Sequence, residues 1–345
     1  METSLELDED MLSPELSHTP RDEREREFLL WRKHIFRRCR AAFWFQAAAE
    51  GGHAGAQYEL AVMFKIGHQV AADLESESSA PHVPFPQDLQ LAAMWFGRSA
   101  EAGNGLAQYE YAMCLLNGVG LDKDEAEAIR WFEASTEHEV ALSFYQLGLC
   151  HDQGLGTQVD KAAAVAYWRR AAEIGLADAQ VLLALNLETG VGCEKNPEEA
   201  VLWYEKAAKQ NTNTDAIFLL GRCHLDGRGT PKNAPLAVQK FTAAAEQMDA
   251  KAMLQLGSCY QYGIGCDRDM SKAFEWFVRA ANAGSPEAMM NVGLCYNNGA
   301  GVKENNDKAQ LWLDRASRMG VASAQSIAYL RKDPRLKAAW DLTNG

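Results

Sequence analysis

The residues best suited to metal binding or catalysis are cysteines that recur at one position of a repeated motif. Each follows a small residue by two positions, and the set comprises Cys114, Cys150, Cys223, Cys259 and Cys295. A thiolate can ligate zinc or act as a nucleophile, but a zinc site needs convergent pairs such as C-x-x-C, which the sequence lacks. Equivalent positions of neighbouring repeats are about 10 Å apart, beyond the reach of a disulfide. The sequence therefore predicts free thiols that pack as small hydrophobic groups.

Two histidines, His151 and His224, directly follow cysteines of this set. Tyrosine stands in the same position of later copies of the motif, at Tyr260 and Tyr296. The position therefore favours a flat side chain that packs, and we expect a structural role for both histidines. Because no Ser–His–Asp or Cys–His arrangement can be inferred from the other residues, no catalytic residue is predicted.

A Gly-x-Gly motif follows each of these segments and invites a phosphate-binding interpretation. A dinucleotide-binding loop requires a preceding strand and a longer G-x-G-x-x-G run, whereas each motif here follows a helical pattern. We expect the first glycine to end that helix, because glycine adopts the left-handed conformation of a helix C-cap at little cost. No cofactor and no metal site is predicted.

The Gly-x-Gly motif recurs with a nearly constant period. Its first glycine stands at Gly118, Gly154, Gly190, Gly227, Gly263 and Gly299. Successive copies are 36 or 37 residues apart, which indicates an internal repeat of one supersecondary unit. Seven full repeats open on a small residue, and these residues are Ala56, Ala107, Ser143, Ala179, Ala216, Ala252 and Ala288.

Equivalent positions of the aligned repeats, here called columns, predict that each repeat is a helical hairpin. The small residue opens helix A, whose apolar face follows the 3.6-residue period. A second small residue, such as Gly257, lets helix B approach closely. An Asp or Asn, such as Asp269, caps the start of helix B. Helix B then buries an aromatic pair and an Ala-Ala pair against helix A.

This pattern, with its A-x-x-x-L-G opening, its G-x-G and its W-x-x-x-A-A, resembles the Sel-1-like repeat family of tetratricopeptide-like helical solenoids. The resemblance covers roughly residues 40–332. It implies an all-α fold, a right-handed α-α superhelix of about seven 36-residue hairpins with capping helices. It also implies a non-enzymatic adaptor or scaffold, since members of this family serve in very different pathways.

Several segments depart from the repeat. Residues 1–27 carry ten acids and three arginines, and we expect an acidic disordered tail ahead of a solenoid over 28–345. An insertion at about 68–87 interrupts the first repeat; it is either a tolerated surface loop or a docking or phosphorylation loop. Residues 324–345 are expected to cap the last repeat. The stretch 31–40 holds five Lys or Arg and is either a solvated capping helix or a membrane-surface segment.

Charge and composition narrow the function classes. The net charge is −13, so a general nucleic-acid-binding role is not expected, because phosphate binding needs a basic face. The sequence has neither a long apolar run nor a signal-peptide pattern. We expect a cytoplasmic protein with possible nuclear access, monomeric, with peripheral membrane contact at most.

The face of helix A opposite the core holds the candidate binding residues. Its columns are unusually apolar for a solvent-facing groove, and two alternatives stay open. The side chains either pad contacts between repeats or line an aromatic-rimmed groove for a peptide or helix. The candidates are Tyr58, Tyr109, Met113, Tyr145, Asp152, Phe218, Arg222, Ser258, Gln261, Tyr262 and Asn298.

The leading hypothesis is a non-enzymatic scaffold that binds a partner protein along its concave face, in signalling, complex assembly or protein quality control. One alternative is a membrane-associated regulator recruited through residues 31–40. A weak hydrolase, like the secreted cysteine-rich members of the family, is the least favoured alternative, because those members pair two cysteines in each repeat. Here the three cysteines outside the main column, Cys39, Cys193 and Cys266, form no second column of the repeat.

Overall fold

The computed structural model describes residues 45–67, 87–210 and 213–321. The predicted acidic tail at 1–27, the basic stretch at 31–40, the insertion up to residue 86 and the C-terminal cap at 324–345 lie outside these residues. Within the described ranges all regular secondary structure is helical and consecutive helices pack in pairs, which confirms the all-α repeat fold.

Residues 45–50 are helical, and fourteen further helices follow among the described residues. Odd-numbered helices are the A helices of the repeat and even-numbered helices are the B helices. They are α1 Ala54–Ile66, α2 Leu89–Glu101, α3 Gly105–Asn117, α4 Glu125–Thr136, α5 Ala141–Gln153, α6 Lys161–Ile174, α7 Ala177–Thr189, α8 Pro197–Lys209, α9 Thr214–Asp226, α10 Ala234–Glu246, α11 Ala250–Tyr262, α12 Met270–Asn282, α13 Pro286–Asn298 and α14 Asn306–Arg318.

Helix A begins two residues earlier than the sequence suggested. The small residue that seemed to open it is its third residue. In five of the seven A helices a polar side chain before the helix accepts a hydrogen bond from the amide of that small residue, whereas Val140 and Leu176 precede α5 and α7 without such a bond. In α11, for example, Asp249 accepts from the amide of Ala252 at 2.7 Å. The residues that cap in this way are His53, Asn104, Asn213, Asp249 and Ser285.

The residues predicted to end helix A and to cap helix B are confirmed in these roles. In each of the six Gly-x-Gly motifs from 118 to 301, the first glycine ends helix A with a left-handed backbone; Gly263 has φ 69° and ψ 38°. The Asp or Asn that follows caps helix B; Asp269 accepts from the amides of Ser271 and Lys272. These caps satisfy backbone groups that every helix end leaves unpaired.

The second small residue of helix A sets the distance between the two helices of a hairpin. A Cβ atom added to Gly257 would lie 2.6 Å from the Phe277 ring, and one added to Gly148 would lie 2.3 Å from Nε1 of Trp168. At Gly148 and Gly257 only glycine leaves room for the aromatic ring of helix B as it is placed here. The ring then fills the hairpin core, where Phe277 is 1% exposed.

The second glycine of Gly-x-Gly joins neighbouring repeats, which the sequence did not reveal. A Cβ atom on Gly265 would lie 2.3 Å from the carbonyl oxygen of Ala234, at the start of the preceding B helix. Gly192 approaches the Lys161 carbonyl oxygen in the same way. The backbone of each loop therefore packs directly on the previous hairpin, and its positive φ adds a second reason for glycine.

The helices form two compact blocks, one ending at Trp131 and the other starting at Phe132, within α4. In the first block α1, α2 and α3 pack in sequence around Leu60 and Phe96. In the second block each helix from α5 to α14 packs on the next, around fully buried residues that include Tyr204. No helix in the described ranges combines the length and apolarity that a membrane span requires.

Candidate binding face on the A helices

The cysteine column lies inside the hairpins. All five of its thiols are buried, and none of the seven cysteines in the described residues forms a disulfide. Burial raises the pKa of Cys114, Cys223, Cys259 and Cys295 to about 11. A thiol with such a pKa stays protonated at neutral pH and is a poor nucleophile and a poor metal ligand. Within the described ranges no group of His, Cys, Asp and Glu could hold a metal ion.

The two histidines of the column pack as expected. The ring of His151 stacks on Tyr167 with centroids 5.3 Å apart. His224 is 8% exposed, and burial lowers the pKa of its imidazole, with the charge of Lys240 acting in the same direction. Both positions therefore hold flat side chains against helix B.

The aromatic candidates on helix A are half-buried and contact the hairpin cores. Tyr58 lies 5.8 Å from Phe96 between ring centroids, and Phe218 lies 5.7 Å from Phe241. Tyr145 packs against the core of α6 to α9. Each aromatic therefore offers one edge to solvent while the remainder packs on a neighbouring helix.

Tyr109 and Met113 are also half-buried, on α3. The carboxylate of Asp152, at the end of α5, accepts from Lys161 at 2.8 Å. The acid is thereby held at the junction between helix A and helix B of one hairpin.

Three candidates are exposed at the surface of helix A, and these are Arg222, Tyr262 and Asn298. Tyr262 is 68% exposed, which is unusual for so large an aromatic side chain. Ser258 and Gln261 are half-buried on the same helix as Tyr262; the Ser258 hydroxyl donates to the carbonyl of Leu254. The structure thus brings Ser258, Gln261 and Tyr262 together on the last turns of α11.

A polar network ties the repeat at α7 to the repeat at α9. The Tyr204 hydroxyl donates to one carboxylate oxygen of Glu188 at 3.1 Å, and Arg228 forms an ion pair with the other. Arg228 also pairs with Asp226 at 3.0 Å. Burial raises the pKa of Tyr204, and the nearby Glu188 charge raises it further.

Sequence reasoning missed the part that Arg228 and Tyr204 play in this network. One signal was available, because Arg228 is the only charged residue at the centre of a Gly-x-Gly motif between residues 118 and 301. It also missed a further column on helix A, where Leu182 and Leu219 are half-buried against the core of α6 to α9.

A family model for the Sel1 repeat matches nine consecutive segments of the chain. They are residues 40–53, 54–76, 84–104, 105–139, 144–176, 177–212, 214–247, 250–285 and 286–321. The last seven of these segments correspond to single helical hairpins or to parts of one, and the period agrees with the spacing of the glycine motifs.

Two solved structures are similar over most of the chain. The crystal structure of c5321, a protective antigen present in uropathogenic Escherichia coli strains and displaying an SLR fold, is 27% identical, with a TM-score of 0.74. The match covers 83% of this chain and 58% of that chain, so this chain spans little more than half of the antigen's length. A Sel1 repeat protein from Oxalobacter formigenes is 26% identical, with a TM-score of 0.67, over 84% of this chain and 79% of that chain.

A search of curated proteins finds no match to this chain. The repeat motif, the helical hairpins and the similar structures nevertheless agree with one another. Because the family model matches most of its length, the chain belongs to the Sel1 repeat family, whose members are generally protein-interaction scaffolds.

Proposed function

We propose that this protein is a non-enzymatic scaffold that binds a partner protein or peptide on the solvent face of its A helices. The observation that carries the proposal is the exposure of Arg222, Tyr262 and Asn298 on helices whose other faces pack against neighbouring helices. Arginine and tyrosine are the side chains most often found at the energetic centres of protein interfaces. The half-buried Phe218, one helical turn before Arg222, would add apolar area to such an interface.

The proposal places the protein in a reducing compartment such as the cytosol, where it acts as a monomer. The described cysteines support this assignment, because they are free thiols and free thiols persist where glutathione keeps them reduced.

The test compares two triple variants of the full chain in partner capture. The face variant is Arg222→Ala, Tyr262→Ala and Asn298→Ala. The control variant is Arg318→Ala, Leu202→Ala and Gln239→Ala, which removes a cation, a large apolar side chain and an amide from exposed positions of B helices. All six side chains are exposed, so both variants should keep the helical circular dichroism and thermal midpoint of the wild type.

We expect the face variant to lose the captured partner and the control variant to keep it. Truncation of an interface centre residue costs about 2 kcal/mol or more, roughly a thirtyfold loss of affinity. If both variants capture the partner equally, the A helices are not the binding face and the proposal is wrong.

A further inference from the structure

We propose that the α9–α10 hairpin is an acid-sensitive element of this protein, which opens locally when His224 takes up a proton. The inference adds a form of regulation that the proposed function does not include. It follows from the burial of the His224 ring, from a ring nitrogen that has no hydrogen-bond partner among the described residues, and from a lysine at a position that is aromatic in the other B helices.

His224 lies in the last turn of α9, on the side that packs against its neighbours. The residue is only 8% exposed. A neutral imidazole tolerates this position, because its ring packs as a flat side chain. A protonated imidazole carries a full charge, which is costly to bury unless an anion or several hydrogen bonds compensate for it. The closed hairpin therefore favours the neutral ring.

The Nδ1 atom of His224 is buried and forms no hydrogen bond with any residue that the structure describes. A neutral imidazole carries an N–H on one nitrogen only, whereas the protonated ring carries an N–H on both. A buried donor without an acceptor costs more than an ordinary lost hydrogen bond gains. Water reaches this nitrogen when the hairpin opens, so protonation favours the open hairpin.

The residue that α10 places at its seventh position sets this hairpin apart. The seventh residue is aromatic in the six other described B helices, and these residues are Trp95, Trp131, Tyr167, Trp203, Trp276 and Trp312. In α10 it is the half-buried Lys240. In the α5–α6 hairpin the equivalent tyrosine stacks on His151, with ring centroids 5.3 Å apart. His224 has a cation on α10 instead, which opposes a second positive charge.

The charges that act on His224 come from the two helices that pack on α9. Lys240 belongs to α10 and Glu205 belongs to α8. Burial lowers the pKa of the His224 imidazole most, and the charge of Lys240 lowers it further. Glu205 acts in the opposite direction but more weakly than either. The pKa of His224 in the closed hairpin therefore lies below its usual value.

The direction of the pH effect follows from this difference. In an open hairpin the imidazole titrates near its usual pKa of about 6.5. Below about pH 6.5 the open hairpin therefore binds more protons than the closed one, and the closed hairpin loses stability until the pH reaches its own lower pKa. A single proton of this pKa can shift the opening equilibrium by at most about thirtyfold between about pH 7.5 and about pH 5.

Opening of this hairpin has a consequence for the A-helix face. Arg222, which is exposed, precedes His224 by two residues on α9. A locally opened α9 no longer holds Arg222 in line with the exposed residues of α11 and α13, so acid would weaken the binding of a partner. This consequence rests on the proposed function, whereas the opening itself does not.

The cysteine column supplies a probe for the opening of each hairpin. Cys223, beside His224, is 2% exposed, and Cys295, two hairpins away in α13, is 5% exposed. Burial raises the pKa of both thiols to about 11. N-ethylmaleimide therefore reacts with each thiol only when its own hairpin opens. The α13–α14 hairpin contains no histidine, so Cys295 is the internal reference.

The test measures the labelling rate of both cysteines in the full chain by peptide mass spectrometry, at about pH 7.5 and about pH 5. Both thiols meet the same reagent at the same pH, so the ratio of the Cys223 rate to the Cys295 rate cancels the pH dependence of the thiol chemistry. We expect this ratio to rise at least about threefold at the lower pH, within the limit of about thirtyfold.

Three variants identify the group that titrates. His224→Gln keeps a polar side chain that takes up no proton, and the ratio should then be the same at both pH values. Lys240→Met removes the cation beside His224 and should reduce the rise. Lys232→Met is the matched control, because it removes a lysine from an exposed position just before α10; it should leave the rise unchanged.

A constant ratio in the wild type overturns the inference, and so does a rise that persists in a folded His224→Gln variant. If circular dichroism shows that His224→Gln does not fold, the two lysine variants decide, and equal rises in Lys240→Met and Lys232→Met overturn it. All of these measurements use the chain without a partner. They are therefore separate from the proposed function, which fails only if the Arg222, Tyr262 and Asn298 variant keeps its partner.

Discussion

The hairpins α7–α8 and α11–α12 share the same helix-ending glycines and helix-capping residues, which together form the repeat framework. They differ in the side chains that they expose to solvent. Both end helix A on a left-handed glycine, Gly190 or Gly263, and both cap helix B with an amide or carboxylate, Asn196 or Asp269. Their outer faces have little in common, because contacts between repeats occupy the end of α7 and leave the end of α11 exposed.

In α7 the end of the helix is closed by internal bonds. Glu188 is held by Tyr204 and Arg228, and its side chain is only 13% exposed. In α11 the corresponding residue is Gln261, and Tyr262 beside it is 68% exposed. Equivalent positions therefore differ in use: Glu188 in α7 binds residues of its own and the next repeat, whereas Gln261 and the adjacent Tyr262 in α11 remain available to bind a partner.

The largest effect should come from framework positions that both hairpins share. We expect Gly192→Ala and Gly265→Ala each to lower the free energy of unfolding by about 2–4 kcal/mol, because the new Cβ would overlap a carbonyl oxygen of the preceding hairpin and the backbone has a positive φ. Gly284→Ala is the control, because its backbone also has a positive φ but nothing lies within 4 Å; it should cost about 1 kcal/mol. Urea denaturation measures all three, and similar losses would contradict the contact between repeats.

The next effect is specific to α7. We expect Arg228→Ile to cost about 1–3 kcal/mol, because it leaves the mostly buried Glu188 carboxylate without its cation. Glu188→Gln in the same chain should recover most of this loss, so a double-mutant cycle reports the coupling. Gln261→Ala at the corresponding site of α11 should change stability by less than about 0.5 kcal/mol. If the Arg228→Ile loss is not recovered, the pair does not act as a unit.

A smaller effect separates the turns that lead into the two hairpins. Gly175, before α7, has φ 118°, whereas Met248, before α11, has φ 67° although it carries a side chain. We expect Met248→Gly to raise the free energy of unfolding by about 0.5–1 kcal/mol, because the left-handed conformation is strained for methionine. Gly175→Ala should destabilise by a similar amount. A thermal melt that shows Met248→Gly to be destabilising would rule out strain as the dominant factor at this turn.

The smallest effect is a dependence on pH that comes from Glu199 in α8. A hydrogen bond from Arg169 holds the pKa of Glu199 below its usual range, and α12 has Lys272 at the equivalent position. The folded state therefore favours the ionised carboxylate; this stabilisation is complete above the pKa of the unfolded chain and is lost as the pH falls through the folded pKa.

Both side chains of this pair are about a third exposed, so we expect only a few tenths of a kcal/mol. The thermal midpoint of the wild type should exceed that of Glu199→Gln near pH 6, and the difference should shrink as the pH falls toward about 3. A difference that stays constant over this range would show that the ionisation of Glu199 does not contribute to stability.

The framework was predictable because each of its positions answers a local requirement. A glycine such as Gly263 ends a helix because it adopts the left-handed conformation at little cost. An acceptor such as Asp269 starts a helix because its side chain binds the first free amides. Since the same requirement recurs in every repeat, the constant spacing made the pattern visible in a single sequence.

The candidate site was predictable only in part. Helical periodicity placed Arg222, Tyr262 and Asn298 on the outer face, where the structure exposes them. The same reasoning could not show that Tyr58 packs against Phe96 or that Phe218 packs against Phe241. The direction of a half-buried side chain depends on the helix beside it.

The sequence by itself determined the hairpin, its period and its family, because caps, glycines and apolar spacing act within one chain segment. The tertiary structure decided what lies between hairpins, such as the Gly265 contact with the Ala234 carbonyl and the Arg228 pair with Glu188. Those contacts join residues about 31 to 40 positions apart, and only the packing of one hairpin on the next fixes which surfaces are joined and which stay open to a partner.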